Sequence, residues 1–442
     1  MSGSGIDRRG AYGVLGVLGV LVAVDVPSLG SDAWPFRTPA VAAHGLLGPL
    51  VRAAHGRFDL GVVRTPAVLA GVLVAAVAAA GWRAQSWRRG VLAAVCVVVV
   101  CLLTVPATLL QVGLRQGSAP WFHTNDSTYQ IELAGVLVRH GHTPYGHDYA
   151  GSGLERFYSL DGTVKPGVAD QQVALKHLAY FPGTPLLGAA WGALPSPWSD
   201  FRLLVALATI GMLGAALLFP GPQWGRLALG TLAAANPLAV QNAWFGTADE
   251  PTLLLLFVAF ALTLRRRPGW AGVAVGAAIL TKQFALVAVP FLAVMLLLES
   301  RSALRRAALA ALGVIAVGAL PFLVADPRAL WEDTVTYGTG TYRILGYGLS
   351  ALLLRAHLIA DRNSHYPFFL LALVVWLPVT ALLARAQWQA RAAWLGGAGF
   401  TASIFLLLFI GRAFHASYLV YPLTGIVLAG LLALAERGRA GA

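Results

Sequence analysis

The chain has 442 residues, of which 57% are hydrophobic and 12% are charged, and its mean hydropathy is +0.70. This balance excludes a soluble globular protein and is typical of a polytopic membrane protein. The formal net charge is +13, but the basic residues lie in short clusters between apolar segments, which indicates membrane topology rather than nucleic-acid binding. The two cysteines, Cys96 and Cys101, share one apolar segment. They exclude a disulfide framework and offer no metal-ligand spacing.

Apolar segments of membrane-spanning length recur along the chain. A helix needs roughly 17 to 25 predominantly apolar residues to cross a bilayer. Together with the hairpin described below, these segments predict an all-α transmembrane bundle with about 12 crossings. They lie at residues 12–29, 62–82, 91–112, 203–219, 226–243, 250–266, 304–324, 366–384, 391–410 and 414–434.

Clusters of arginine set the expected orientation, because positively charged loops face the cytoplasm. With every cluster on one side, both termini are cytoplasmic and the region after the third apolar segment is external. We therefore expect a multi-pass plasma-membrane protein in three parts: N-terminal transmembrane helices at 1–112, an external region at 113–202 and a transmembrane core at 203–442. The clusters are Arg8–Arg9, Arg83–Arg89, Arg265–Arg267, Arg301–Arg306, Arg385–Arg391 and Arg437–Arg439.

Residues 269–298 lie between two clusters that must both be cytoplasmic, so a single crossing is excluded. Two short helices that turn near Thr281-Lys282-Gln283 satisfy both clusters and bring Lys282 to the external face. By the same topology, the segments 178–195 and 345–360 lie along the outer surface or re-enter the membrane without crossing it. Irregular backbone at membrane depth must be covered by protein or line a cavity. An external active-site cavity is therefore expected.

The order of several motifs resembles a known superfamily. An external aspartate, Asp126, follows a membrane helix, and it is followed by a PY turn, AYFPGTP, NPLAVQNAWFGTADE and GAAILTKQ. From Trp121 to Pro422 this order resembles the GT-C membrane glycosyltransferases, in particular bacterial polyprenyl-phosphate-mannose-dependent mannosyltransferases. The two helices before residue 91 are not part of that pattern. The resemblance implies that a hexose, mannose above all, passes from a polyprenyl-phosphate donor to a lipid, glycan or protein acceptor at the outer face.

In that family the first external acidic motif supplies the catalytic carboxylate, which here is Asp126. A general base must take the proton of the acceptor hydroxyl group. Tyr129 and Gln130 follow on the same helical face and are expected to contact the sugar. The structural alternative is a helix start, since Ser127-x-x-Gln130 has the spacing of a capping box.

Lys282 is the expected phosphate ligand, because a charged group between apolar segments needs a partner or a wet cavity. Its alternative is snorkelling to the membrane interface. Gln283 is a weaker candidate, and Arg343 and Arg412, both in expected external loops, share the anionic charge. His415, in GRAFHASYLVYP, resembles a position where the family often has a histidine, although an interfacial histidine is an equal interpretation.

Further candidates surround these residues. Asp249 and Glu250 fit either a helix N-terminus or a metal site, and the turn HTPYGHDY is suited either to binding hydroxyl groups or to an interfacial aromatic belt. We expect no cofactor: a divalent metal is conceivable, but no spacing supports it. The remaining candidate substrate-binding residues are His142, Tyr145, Asp148, Tyr149, His177 and Tyr180. Tyr180 also fits an aromatic anchor at the membrane surface, which is the preferred interpretation of that residue.

Two other function classes compete with glycosyl transfer. A lipid-linked sugar flippase or other transporter should carry ionisable residues at mid-membrane on broken helices in two symmetric halves, whereas the polar groups here gather at one face. A non-catalytic membrane assembly protein gives no reason for Asp126 and Lys282 to converge. The enzyme interpretation is therefore preferred, with the sugar donor, the acceptor and the bilayer as partners.

Overall fold

The computed structural model describes residues 4–29, 45–55, 60–84, 89–116, 119–158 and 175–440. The chain divides into two compact units. The first comprises residues 1–129, 194–265 and 430–442, and the second comprises 130–193 and 266–429. Almost all of the described secondary structure is helical, which confirms the all-α prediction.

The first unit is built mainly from apolar helices. Its core contains buried alanine, valine and leucine side chains of the N-terminal helices together with Trp224 and Trp244. The helices are α1 (Ser4–Asp25), α2 (Gly48–Ala53), α3 (Leu60–Ala84), α4 (Arg89–Gln116), α7 (Phe201–Ala216), α8 (Gln223–Ala235), α9 (Pro237–Phe245) and α10 (Asp249–Leu264).

The second unit holds the remaining helices and one pair of very short strands. Helix α5 (Asp126–Arg139) begins in the first unit, and α19 (Val420–Ala440) ends there. The other helices are α6 (Gly183–Trp191), α11 (Pro268–Thr281), α12 (Val289–Glu299), α13 (Arg301–Ala325), α14 (Pro327–Trp331), α15 (Leu349–Arg355), α16 (Phe368–Leu371), α17 (Leu377–Ala390) and α18 (Trp394–Phe409). Strands β1 (Leu345–Gly346) and β2 (Ala413–Phe414) pair in parallel.

One predicted crossing is wrong. The apolar segment 226–243 is not a single helix, because it breaks between α8 and α9 at Asn236. The Asn236 side chain caps α9 by accepting from the Ala239 N–H at 2.9 Å, and Pro237 begins the helix. Proline has no N–H and suits the first turn of a helix but not its interior, so the Asn-Pro pair ends one helix and starts the next.

The predicted division of residues 269–298 into two short helices near Lys282 is confirmed. Helix α11 ends at Thr281, Lys282 is extended (φ −153°, ψ 131°), and a 3₁₀ turn, Gln283–Ala288, leads into α12. Two other predicted non-crossing segments contain only short helices: α6 has 9 residues and α15 has 7. At 1.5 Å per residue, neither is long enough to cross a bilayer of about 30 Å.

Within the described residues, five helical segments are long and apolar enough to cross a membrane. They are Val63–Arg83, Gly90–Gln116, Arg301–Ala325, Phe368–Ala390 and Ala416–Gly438. Four further apolar helices are shorter, at 10–17 residues: Phe201–Ala216, Pro268–Thr281, Gln283–Glu299 and Trp394–Phe409. The expected count of about 12 crossings is therefore not supported, because many apolar segments form helices too short for an unassisted crossing.

Candidate functional site

Asp126 is the first residue of α5, but it is not the residue that caps the helix. Asn125 is buried, and its side-chain oxygen accepts from the Thr128 N–H at 2.7 Å. The Asp126 side chain is exposed and accepts from the Ser127 N–H at 2.8 Å. The predicted Ser127-x-x-Gln130 capping box is therefore wrong: Asn125 already satisfies the helix start, so the Asp126 carboxylate is not needed for capping.

The start of α5 is held against the C-terminal end of α9 within the first unit. The Asn125 amide donates to the Phe245 carbonyl, and the Thr128 hydroxyl donates to the Gly246 carbonyl at 2.6 Å. Gly246 has φ +74°, and a Cβ there would collide with the side chain of Arg202. Only glycine suits this left-handed, crowded position. These contacts fix the backbone on which Asp126 stands.

A buried ion cluster lies in the same unit. Asp200 caps α7 and receives Arg202 through two side-chain bonds, Nε–Oδ1 at 2.9 Å and Nη2–Oδ2 at 2.6 Å, while Arg115 Nη1 lies 3.0 Å from Oδ2. Burial alone would raise the pKa of Asp200, but the two guanidinium groups hold it well below its usual range. Arg115 also stacks over the ring of Tyr129, which is buried. Tyr129 therefore packs within the protein.

The second unit contains the segment 177–184, which is hydrogen-bonded to α5 and to the end of α11. Gln130 donates to the His177 carbonyl at 2.9 Å, and the Thr184 hydroxyl donates to the Thr281 carbonyl at 2.6 Å. Close packing of α5 on α6 supports this arrangement: a Cβ at Gly135 would lie 2.4 Å from the carbonyl carbon of Gly188. The predicted sugar contact Gln130 is thus buried, and its amide holds the backbone of this segment.

Lys282 lies in an aromatic cage in the second unit. Its side-chain nitrogen is 5.6 Å from the centroids of Tyr180 and Phe284 and 5.4 Å from that of Tyr418, and the residue is 7% exposed. Ammonium groups are attracted to the faces of aromatic rings within about 6 Å. His415 joins this cluster, since its ring packs edge-on against Tyr418 at 5.5 Å. Snorkelling does not describe a lysine buried to this extent.

The predicted neighbour Gln283 makes only a long bond, 3.4 Å from its amide nitrogen to the Ala179 carbonyl. Tyr180 is half-buried and forms one wall of the Lys282 cage. The structure therefore brings Tyr180, Lys282, Gln283 and His415 together around one cluster.

A carboxylate that sequence analysis missed, Asp333, contacts the start of the 177–184 segment. Asp333 is buried, and its Oδ1 lies 2.8 Å from His177 Nδ1. Its Oδ2 accepts from the Gly146 N–H at 2.9 Å and the Leu178 N–H at 3.2 Å. The His177 ring also stacks on Tyr337 at 4.5 Å. Asp333 belongs to a stretch of π-helix, Glu332–Thr341, a rare conformation that is frequent at functional sites.

The predicted hydroxyl-binding turn divides into buried and exposed residues. Tyr145 donates to the Tyr180 carbonyl and Tyr149 donates to the Pro144 carbonyl, each at 2.9 Å. Burial raises the pKa of both phenols, and the charge of Asp333 raises it further. His142 and Asp148 are exposed. The two tyrosines therefore stabilise the turn, and the two exposed side chains remain available to a ligand.

The two arginines expected to bind phosphate differ in burial. Arg412 is buried, with Nε donating to the Tyr342 carbonyl at 2.6 Å and Nη1 to the Ser364 carbonyl at 3.1 Å. Nη2 has no hydrogen-bond partner among the described residues. Burial lowers the pKa of Arg412 and raises that of nearby Tyr366 to about 12. Arg343 is half-buried.

Asp249 and Glu250 form the first turn of α10, as the helix-start interpretation predicted. Both are buried, and the Thr247 hydroxyl lies 3.1 Å from Glu250 Oε2. Acidic side chains at this position are favoured by the helix dipole. Among the residues that the structure describes, no three histidine, cysteine or acidic side chains are grouped as metal ligands.

The fold and its apolar helices define an α-helical membrane protein. A model of Glycosyltransferase family 87 matches residues 178–411, more than half of the 442-residue chain. The chain therefore belongs to glycosyltransferase family 87, whose members transfer a sugar from a donor to an acceptor. Comparisons with curated proteins and with solved structures found no match. The matched range contains Lys282 and Asp333, and it begins one residue after His177.

Proposed function

We propose that the protein transfers a hexose, mannose in the first instance, from a polyprenyl-phosphate donor to a lipid, glycan or protein acceptor at the outer face of the membrane. Membership of family 87 supplies the reaction class and favours transfer over a flippase or another transporter. The donor and the sugar come from the motif order between Asp126 and His415. The observation that carries the donor assignment is the caged lysine, Lys282.

Lys282 suits a phosphate attached to a prenyl chain. Bond breakage at the sugar carbon leaves negative charge on the phosphate, and a fixed cation stabilises that charge in the transition state. The lysine stands at the end of an apolar helix, where Phe284 and Leu286 follow it, and Leu286 is 47% exposed. An exposed apolar surface beside a cation matches a ligand with a charged head and an apolar chain.

Asp126 is the proposed general base. Its carboxylate is exposed at the start of a helix that Asn125 caps, so an acceptor hydroxyl group can reach it. Loss of a general base typically lowers the rate by about two to four orders of magnitude. Asp126→Asn preserves the size of the side chain and should leave the fold intact.

The test uses the purified full-length protein in lipid nanodiscs, radiolabelled polyprenyl-phosphate mannose and a membrane-lipid extract as acceptor. We expect wild-type protein to transfer label, and Asp126→Asn to lose about 10²–10⁴-fold in kcat. Glu132→Gln is the matched control, because it removes a carboxylate from the same helix six residues later. It should retain wild-type turnover.

Two results would contradict the proposal. Wild-type turnover by folded Asp126→Asn would remove Asp126 as the base. A wild-type protein that transfers sugar from nucleotide donors, but not from polyprenyl-phosphate donors carrying mannose, glucose or galactose, would remove the donor class. Transfer of glucose or galactose in preference to mannose would retain the donor class and correct the sugar.

A further inference from the structure

The pair formed by His177 and Asp333 has the geometry of a group that handles a proton. Asp333 fixes His177 Nδ1 at 2.8 Å, and Tyr337 stacks against the ring. The hydrogen bond at one ring nitrogen determines the tautomer and the orientation of the other. The His177 side chain is 21% exposed, and its Nε2 has no hydrogen-bond partner among the described residues.

Asp333 is itself held in place. Its second oxygen accepts two backbone N–H groups, from Gly146 and Leu178. A carboxylate that receives three donors stays in one orientation, and a buried carboxylate would be costly without such partners. The result is a rigid imidazole with one nitrogen fixed and the other available.

The segment that carries His177 also reaches the caged lysine. Tyr180 lies three residues after His177 and contacts the Lys282 side-chain nitrogen. Three residues of chain span at most about 11 Å. A phosphate bound at Lys282 would therefore lie beside the segment that carries His177, and all of these residues belong to the second unit.

Neighbouring side chains are poorer proton donors. Burial raises the pKa of Tyr145 and of Tyr149, so both phenols keep their protons at neutral pH. Histidine is the side chain whose ordinary pKa lies closest to neutrality, and the second pKa of a phosphate monoester is about 6. Proton transfer is most effective between groups of similar pKa.

We infer that His177 in its imidazolium form, positioned by Asp333, donates the proton on Nε2 to the phosphate leaving group of the sugar donor. The inference rests on the proposed function and adds a second catalytic residue to it. As the bond between the sugar carbon and the phosphate oxygen breaks, its electron pair goes to that oxygen, which receives the His177 proton. The acceptor oxygen bonds to the sugar carbon and gives its proton to the general base. Solvent then takes a proton from that base and returns one to His177, so that charges and protons balance.

The test compares His177→Gln with wild type in the nanodisc assay with polyprenyl-phosphate mannose. We expect kcat to fall by about 10²–10⁴-fold, KM for the donor to stay within a few-fold, and added imidazole to restore part of kcat. His140→Gln is the control, because His140 is an exposed histidine whose ring bonds to the Val136 carbonyl. It should retain wild-type kcat and show no response to imidazole.

Asp333→Asn tests the positioning residue. The amide keeps one oxygen for the backbone N–H groups, but it lacks the second carboxylate oxygen that accepts from His177 Nδ1. We expect a lower kcat with little change in KM and in the thermal unfolding temperature. A purely structural role would instead lower the unfolding temperature and leave kcat per folded molecule unchanged, which would overturn the positioning role.

Three outcomes would overturn the role of His177: wild-type kcat in folded His177→Gln, a raised KM with normal kcat, or a kcat loss without imidazole rescue. If His177→Gln does not fold, His177→Phe keeps the stack on Tyr337 and takes its place. A wild-type protein without transfer activity would defeat the proposed function and this inference together. Wild-type transfer with an unaffected His177 variant would defeat the inference alone.

Discussion

Buried charged side chains have different surroundings in the two units. In the first, Asp200 joins two arginines through short side-chain contacts, and the cluster is closed. In the second, Lys282 faces three aromatic rings and His177 keeps part of its ring exposed. The first cluster has a structural role, because its buried carboxylate is held by two guanidinium groups of the chain. An aromatic cage around a lysine and a partly exposed histidine are surroundings that suit the binding of an anionic ligand.

This comparison predicts that substitutions in the first cluster affect folding and that substitutions in the second affect transfer. The strongest expected effect is that of Asp200→Ala. Removing one partner of a buried ion pair leaves an uncompensated charge and typically costs about 3–5 kcal/mol. We therefore expect a large loss in the free energy of unfolding, measured by thermal or denaturant unfolding in detergent. Asp148→Ala is the control, because Asp148 is exposed and, within the described residues, bonds only to the nearby Ala150 N–H.

The cluster of Asp200 with two arginines also predicts how stability depends on pH. The arginines hold the pKa of Asp200 below its unfolded value of about 3.9, in spite of burial. The stabilisation is therefore complete above the unfolded pKa and is lost as pH falls from there through the folded pKa. The free energy of unfolding of Asp200→Ala should lack this part of the dependence on pH. An unchanged acid profile would mean that the cluster does not contribute to stability.

The next expected effect belongs to Lys282. Interactions with charged groups contribute about 1.5–3 kcal/mol, so Lys282→Met should weaken use of the polyprenyl-phosphate donor by roughly 10- to 150-fold. The free energy of unfolding should change much less, since methionine can fill the space within the cage. Steady-state kinetics and an unfolding curve on the same preparation measure both quantities.

Lys176→Met is the matched control for that substitution, because Lys176 is the other lysine in the described residues and lies outside the cage. It should keep wild-type donor kinetics. A Lys282→Met protein that unfolds readily but uses the donor normally would place Lys282 with Asp200 as a structural charge, and the difference between the two regions would disappear.

Sequence patterns predicted the parts of this structure that local chemistry determines. The helix class followed from composition, and the break at Lys282 followed from the arginine clusters on both sides of one apolar segment. The pattern failed at Asn236, where hydropathy continues across a capping residue and a proline. Hydropathy also overestimated the number of membrane crossings, because it measures the length of an apolar segment and not where a helix ends. Orientation and the external cavity stay predictions.

The roles of the candidate site residues stay predictions. Sequence reasoning selected His177, Tyr180, Lys282 and His415 from separate motifs, but not the contacts among them, because those depend on tertiary packing. Asp333 was missed, since the stretch around it has neither a motif spacing nor a hydrophobic period. The available signal was a pair of acids, Glu332-Asp333, before threonines and glycines in an expected external loop. Tyr129 and Gln130 were assigned to sugar on helical spacing alone, and both side chains are buried in contacts with the protein.

The smallest expected effect separates capping from catalysis at the start of α5. Asn125→Ala removes the helix cap, which typically costs about 1 kcal/mol, and also removes the hydrogen bond to the Phe245 carbonyl. We expect a modest loss in the free energy of unfolding with normal kcat per folded molecule. Asn125→Ser retains an oxygen that can cap the helix and should recover part of the stability. Asp126→Asn should show the opposite pattern, with normal unfolding and a lost kcat. If the Asn125 variants lose kcat as strongly as Asp126→Asn does, the start of α5 acts as one structural unit, and the separate role of Asp126 as a base is contradicted.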